Sequence, residues 1–215
     1  MVTQQSKMVR NLIADILSDP ASTERARENS FRDFHCVGMD YVNLHRSDNL
    51  TLKLYVTYPD RLQPAMGAAG IVQPHTHGYN FHTHVLRGGM ANIIFSEGHP
   101  SRPPGEPWRE IRYVTPLNGK RSAEIHNDRA WLKTVEINPV PRHSGYYLNH
   151  EQIHTITVAD DLNILLLHQY RDQPKPHTRL FIHGDVPDTT QLYKRFDRDE
   201  FAKTLLFLFD EVERD

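Results

Sequence analysis

From residue 50 to residue 183 the chain is a succession of short apolar runs cut by turn residues, with no long helical pattern between them. Leu50, Leu52, Leu54 and Val56 alternate with Thr51, Lys53, Tyr55 and Thr57. That period of two reads as a half-buried strand, one face in a core and the other in water. Further strand-like runs cover residues 82–86, 91–95, 111–115, 130–137, 146–148, 154–158, 164–170 and 179–183. Gly, Pro, Asn and Asp separate them, as at Asn118-Gly119 and Asp160-Asp161. Short strands joined by turns build an antiparallel sandwich or barrel, not a parallel α/β sheet. The expected fold class is mainly β.

The two ends change period. Val9, Leu12, Ile13, Ile16 and Leu17 form one apolar stripe at helical spacing. Asp19-Pro20 stops that helix and starts a second, with Asp19 as cap and Pro20 at the first helical position, running to about Phe34. Near the other end Asp197 or Asp199 caps a helix with Phe201, Ala202, Leu205, Leu208 and Phe209 on one face. Residues 96–107, rich in Pro and Gly, read as a surface loop. A length of 215 residues suits one domain. The plan is N-terminal helices over 1–35, a β-barrel over 36–190 and a C-terminal helix over 191–215. The run from Leu205 to Phe209 is apolar on more than one face, so a monomer or a homodimer is expected.

Charge and cysteine content exclude several classes. The net charge is −2, which argues against nucleic acid as a partner, and no run of five or six like charges suggests a charged tail. Cys36 is the only cysteine, so an internal disulfide and a cysteine-based zinc site are both excluded. No stretch is apolar enough for a signal peptide or a membrane span. The expectation is a soluble cytoplasmic protein.

The 14 histidines are scattered, so only their spacing carries information. Residues 74–89 read PHTHGYNFHTHVLRGG, with two His-Thr-His triplets. In an extended segment residues i and i+2 point to one side. His75 and His77 therefore project together and can take adjacent positions on one metal ion. The candidate third ligand is His154, which shares a strand face with Ile156 and Val158; His150, His143 and His82 are its rivals. His99, His126, His177 and His183 are assigned to loops or surface.

This pattern resembles the cupin superfamily, in which His-x-His, an acidic residue and a glycine form a first motif and a distant histidine a second. The resemblance implies a double-stranded β-helix, a jelly-roll barrel. The acidic position falls on Phe81 or His82, so a three-histidine site is implied rather than three histidines and a glutamate. A closer resemblance is to the cysteine dioxygenase-like thiol dioxygenases, over roughly residues 36–175. YVNL at 41–44, the strand 50–58, GYYLNHEQIHTITV at 145–158 and ILLLHQYRDQP at 164–174 carry it in the family's order. The resemblance implies Fe(II) as cofactor, O2 and a small molecule as substrates, and His75, His77 and His154 as ligands. Zn, Mn and Ni are the lesser alternatives, since imidazole suits them all.

The same resemblance makes His168 and Tyr170 catalytic candidates, with Tyr170 hydrogen-bonding dioxygen or substrate. His82 is a further candidate, as a group that fixes ligand tautomers, with His84 beside it. The family's serine in Ser-x-His-x-Tyr is Leu166 here, and no Cys–Tyr crosslink is expected. Its carboxylate-holding arginine falls near Asn43; Arg46 is the replacement candidate, with Tyr79 as a second substrate-binding residue. Three function classes follow: a non-haem iron oxygenase acting on a small anionic, metal-chelating metabolite; a non-oxidative isomerase or lyase using Zn or Mn as Lewis acid; and a non-catalytic ligand-binding cupin.

Overall fold

A computed structural model describes residues 3–64, 70–98, 106–114, 122–159, 161–173, 177–184 and 194–214. The Asn118-Gly119 turn, Asp160, His99 and most of the loop 96–107 lie outside these residues.

Helix α1 spans Gln4–Ser18 and α2 spans Pro20–Glu28. Asp19 links them, its carboxylate accepting from the Ala21 and Ser22 amides. The second helix ends before Phe34. The Phe31 amide and carbonyl both bond to Tyr41, and Asp33 and His35 take positive φ, which a helix cannot continue through. Strands follow: β1 (Met39–Arg46), β2 (Leu50–Thr57), β3 (Tyr79–Arg87), β4 (Met90–Glu97), β5 (Trp108–Val114), β6 (Ser122–Ala130), β7 (Leu132–Val140), β8 (Gly145–Leu148), β9 (Ile153–Val158), β10 (Asn163–Asp172) and β11 (His177–Ile182). The stretch 130–137, expected as one strand, is divided: Ala130 closes β6 and Leu132 opens β7. Helix α3, Arg198–Glu211, closes the chain, and Asp197 rather than Asp199 caps it through the Glu200 amide.

The mainly β fold expected from the alternation is what the structure has. One sheet runs β1-β2-β10-β3-β8; two three-stranded sheets run β11-β5-β6 and β7-β4-β9. Residues 71–77 join the latter two. His75 pairs with His154 of β9 on one side and with Leu180 of β11 on the other. Gly70 permits this approach, because a Cβ there would stand 2.3 Å from the Ile156 carbonyl oxygen. Gly88, at φ +73°, turns β3 into β4 where a side chain would strike Asn163.

Both faces of the five-stranded sheet are covered. Leu52, Leu54, Val56, Ile164 and Leu166 pack on one face against Val9 and Ile13 of α1 and Phe201, Leu205 and Leu208 of α3. Tyr55, Phe81, Val85, Leu165 and Leu167 face Ile94, Val140 and Ile156 of the opposite layer. One wet face is expected for β2 from its sequence, and the structure buries nearly all of it. Terminal helices cover one side and a second sheet the other. Phe201 is fully buried at the helix–sheet contact. Phe201→Ala is expected to lower unfolding free energy by about 3–5 kcal/mol in urea titrations, leaving an unfilled cavity under α3.

Candidate metal centre

Backbone pairing sets the site. The His75 amide donates to the His154 carbonyl at 2.9 Å, and the His154 amide donates back at 3.0 Å. Residues that exchange both bonds across an antiparallel pair point to one face. On the other side of the segment, Phe181 donates to the Pro74 carbonyl and Thr76 to the Arg179 carbonyl, both at 2.9 Å. The His77 amide reaches the His150 carbonyl. His75 and His77 are thus held on a paired segment between β9 and β11, not on a free loop.

The structure brings His75, His77 and His154 together: one ring nitrogen from each lies within 4.8 Å of the others. Ring centroids are 4.6, 4.9 and 5.1 Å apart. The His75 Nδ1–H donates to the Gln73 carbonyl, and the His154 Nδ1–H to Asn92 Oδ1, each at 2.8 Å. Those bonds fix the tautomers and leave Nε2 as the free lone pair. The Nε2 atoms of His77 and His154 stand 2.9 Å apart. Two nitrogens at right angles on a metal, each about 2.1 Å from it, are separated by about 3.0 Å. Burial, and for His77 and His154 the neighbouring histidines, hold all three below the usual imidazole range, so they are neutral ligands near pH 7. The donor set fits a divalent metal ion.

Phe81 settles the position that lay between it and His82. Its ring is 4.7 Å from His77 and 5.9 Å from His154, and it is buried. Among the described residues no carboxylate joins the three imidazoles. The rival His150 is occupied by Asn80, and His143 is exposed on a turn.

His82, His168 and Tyr170 lie elsewhere. His168 is paired across the sheet with both Leu52 and His82. Leu52 packs against the helices, so this row faces away from the metal ligands. There His82 Nδ1 meets the Tyr170 hydroxyl at 2.8 Å, and the His84 and His168 rings are 5.3 Å apart. The alternation that turns Leu165 and Leu167 toward the site turns His168 and Tyr170 to the outer face, which corrects their expected place beside the metal. His126 is exposed, and His183 stacks on Trp108 at 3.7 Å.

The site face carries other groups. Tyr79 is there, its ring 5.2 Å from His77. Lys53 is buried beside it and donates to the Tyr79 hydroxyl at 3.0 Å and to Gln169 Oε1 at 2.8 Å. Arg46 is exposed at the end of β1, paired with Thr51. His35, also exposed, stands with its ring 5.7 Å from that of His75. Sequence reasoning singles out neither Lys53 nor Asn92. For Asn92 a signal exists: it shares strand phase with Met90 and Ile94, a polar residue on an apolar face. A cleft of about 930 Å³ between Tyr58, Arg61, Phe196 and Phe207 is a separate feature lined by none of these histidines.

No family model matches the chain, and no curated protein does. Solved structures with a similar course of chain include a hydroxypropylphosphonic acid epoxidase from S. wedmorenis, 12% identical, with TM-score 0.36, covering 66% of this chain and 54% of that one. A hydroquinone 1,2-dioxygenase in complex with Cd2+ and 4-hydroxybenzonitrile is 11% identical, with TM-score 0.37 and coverage of 70% and 71%. A nucleoside dehydratase is 11% identical, with TM-score 0.37 and coverage of 73% and 89%. This chain spans about half the length of the epoxidase chain. Likeness of this degree leaves activity to be argued from the residues.

Two outcomes follow from the geometry. Asn92→Ala is expected to weaken metal binding about 10- to 100-fold in competition with a chromophoric chelator, whereas Tyr170→Phe leaves it within about twofold. The second concerns Lys53, whose ammonium is pulled down to about 7, by burial first and then by the Arg46 charge, with Asp172 a partial offset. An unfolded chain titrates lysine near 10.4. Between those values the unfolded chain holds a proton that the folded chain has released, so stability rises with pH. Below about pH 7 both states are protonated and the burial penalty is complete. In melts of metal-free protein from about pH 6 to about pH 9, wild type is expected to gain steadily on Lys53→Met; a constant difference would contradict a buried, readily deprotonated lysine.

Proposed function

We propose that the chain is a cupin-type, cysteine dioxygenase-like non-haem Fe(II) enzyme that uses O2 on a small anionic metabolite able to chelate the metal. The observation that carries this reading is the convergence of three neutral imidazoles, two with their second nitrogen already satisfied, on one point between the sheets. His75, His77 and His154 would hold the iron. Bound there, it supplies redox activation of O2.

The protein's part is charge, position and exclusion of water. Three neutral ligands cancel none of the double positive charge, whereas a carboxylate in the set would remove one unit. The site therefore favours an anionic, bidentate ligand such as an aminothiolate, a catecholate or an enolised dicarbonyl. Phe81 and the Tyr41, Tyr55 and Tyr79 rings make the surroundings largely apolar. Asn92 and the Gln73 carbonyl keep two imidazoles in the metal-binding tautomer.

Protein purified without added metal, then loaded with Fe(II) under anaerobic conditions, is expected to hold about one iron per chain, since one three-ligand cluster is present among the described residues. It is expected to consume O2 when a bidentate, metal-chelating anion is supplied, with cysteine and related thiols as the first compounds tried. His154→Ala should lose both and remain folded by circular dichroism. Iron without thiol turnover would move the search to other bidentate anions. Zinc or manganese with no O2 uptake under any loading would overturn the oxygenase reading in favour of Lewis-acid chemistry.

A further inference from the structure

The second His-Thr-His triplet, His82 to His84, is the motif that the metal centre leaves unused. Strand phase turns both of its imidazoles to the outer face of the five-stranded sheet, away from Phe81. Two cross-strand rows run side by side there. One reads Leu52, His168, His82, Tyr147, and the next reads Leu54, Leu166, His84, Gly145. The helices pack on the leucines of both rows. Tyr147 and Tyr170, near the histidines, are exposed, so this end of the face meets solvent. His82, His84 and His168 are each half-buried.

The His84 and His168 rings are 5.3 Å apart and inclined at 67°. The rings of the inner set are separated by 4.6, 4.9 and 5.1 Å, so this pair is nearly as close. His168 Nε2 is buried with no hydrogen-bond partner among the described residues. A buried imidazole nitrogen left unmet carries a desolvation cost that a partner removes. Gly145 stands cross-strand from His84, where a Cβ would lie 2.2 Å from the Thr83 carbonyl oxygen and 3.1 Å from His84 Nδ1. Residue 145 therefore brings no side chain against that ring. Burial and the neighbouring histidines hold His84 and His168 below the usual imidazole range, so each offers a lone pair near pH 7. The His82 ring is 6.4 Å from that of His84 and nearly parallel to it, and its Nδ1 meets the Tyr170 hydroxyl at 2.8 Å. With Nδ1 engaged, Nε2 is the His82 nitrogen left for a metal.

We propose that His84 and His168, with His82 as third ligand, form a second metal site on the outer face of the sheet, for a late first-row ion, Cu(II) above Zn(II). An ion there bridges β3 and β10 on the face opposite the inner set. A few neutral imidazoles, with solvent in the remaining positions, impose little geometry of their own. Affinity then follows the general order for divalent ions, with Cu(II) at the top and Fe(II) near the bottom. Iron loading therefore still fills about one site per chain, while copper or zinc adds a second ion. The outer site shares no ligand with His75, His77 and His154, so either site stands without the other.

Cu(II) titration of the full-length His77→Ala/His154→Ala protein, followed by electron paramagnetic resonance, isolates the outer site. About one Cu(II) per chain is expected, with nitrogen splitting from at least two imidazoles. Adding His84→Ala or His168→Ala should each weaken binding at least about tenfold with circular dichroism unchanged, and adding His126→Ala, on exposed β6, should leave it within about twofold. Where the double variant does not fold, the count is made on wild type, with about two Cu(II) per chain expected and about one in His168→Gln. No Cu(II) bound by the folded double variant, binding indifferent to both His84→Ala and His168→Ala, or a wild-type count unchanged by His168→Gln would each overturn the outer site, the last two pointing to adventitious binding at other histidines. A single wild-type Cu(II) that is lost in His168→Gln and kept in His77→Ala/His154→Ala would support the outer site and overturn the inner one.

Discussion

The backbone pairing of His75 with His154 is the interaction on which the rest depends. It closes the gap between β9 and β11, so that two three-stranded sheets continue through residues 71–77. The same two hydrogen bonds place both imidazoles on one face, because partners in a hydrogen-bonded antiparallel pair cannot point apart. His77 follows by the two-residue repeat. Continuity of the sheet and assembly of the ligand set are therefore one event. Disturbing the pairing would open the layer and scatter the nitrogens together.

Around that pairing, the five-stranded sheet separates two kinds of chemistry by strand phase. Its outer face gives the helices their apolar seat, then runs out into His82, His84, His168 and Tyr170 beyond them. Its inner face gives the site Phe81, Tyr79, Lys53 and Gln169. A one-residue slip of β3 or β10 would exchange these sets. The bulge in β1 between Asn43 and His45 has a similar effect at the rim, returning Arg46 to the row of Thr51 after Leu44 has packed with the helix-side core.

Some of this is legible in the chain. The period of two, the stripe at Val9, Ile13 and Ile16, and the caps at Asp19 and Asp197 are local patterns, and local patterns survive into the fold. His75 and His77 stand out by spacing, and His154 by sharing a phase with Ile156. The second helix is shorter than its local pattern suggests because nothing nearby announces that Phe31 will pair with Tyr41. Lys53 escapes a sequence reading for a clear reason. In a strand with one wet face, the Thr-Lys-Tyr-Thr row belongs to solvent. Here a second sheet covers that row, and the lysine is in the interior.

The chain by itself determined the mainly β class, the amphipathic end helices and the three imidazoles, because each is written within a few residues of sequence. Only the tertiary structure decided which face each strand turns inward, since alternation defines two faces without naming the inner one. That choice brought Phe81 to the metal ligands in place of His82, turned His168 and Tyr170 outward, and set Lys53 beside Tyr79. Contacts between residues remote in the chain make it: the helices cover one side of the sheet and the segment around His75 completes the layer opposite the other.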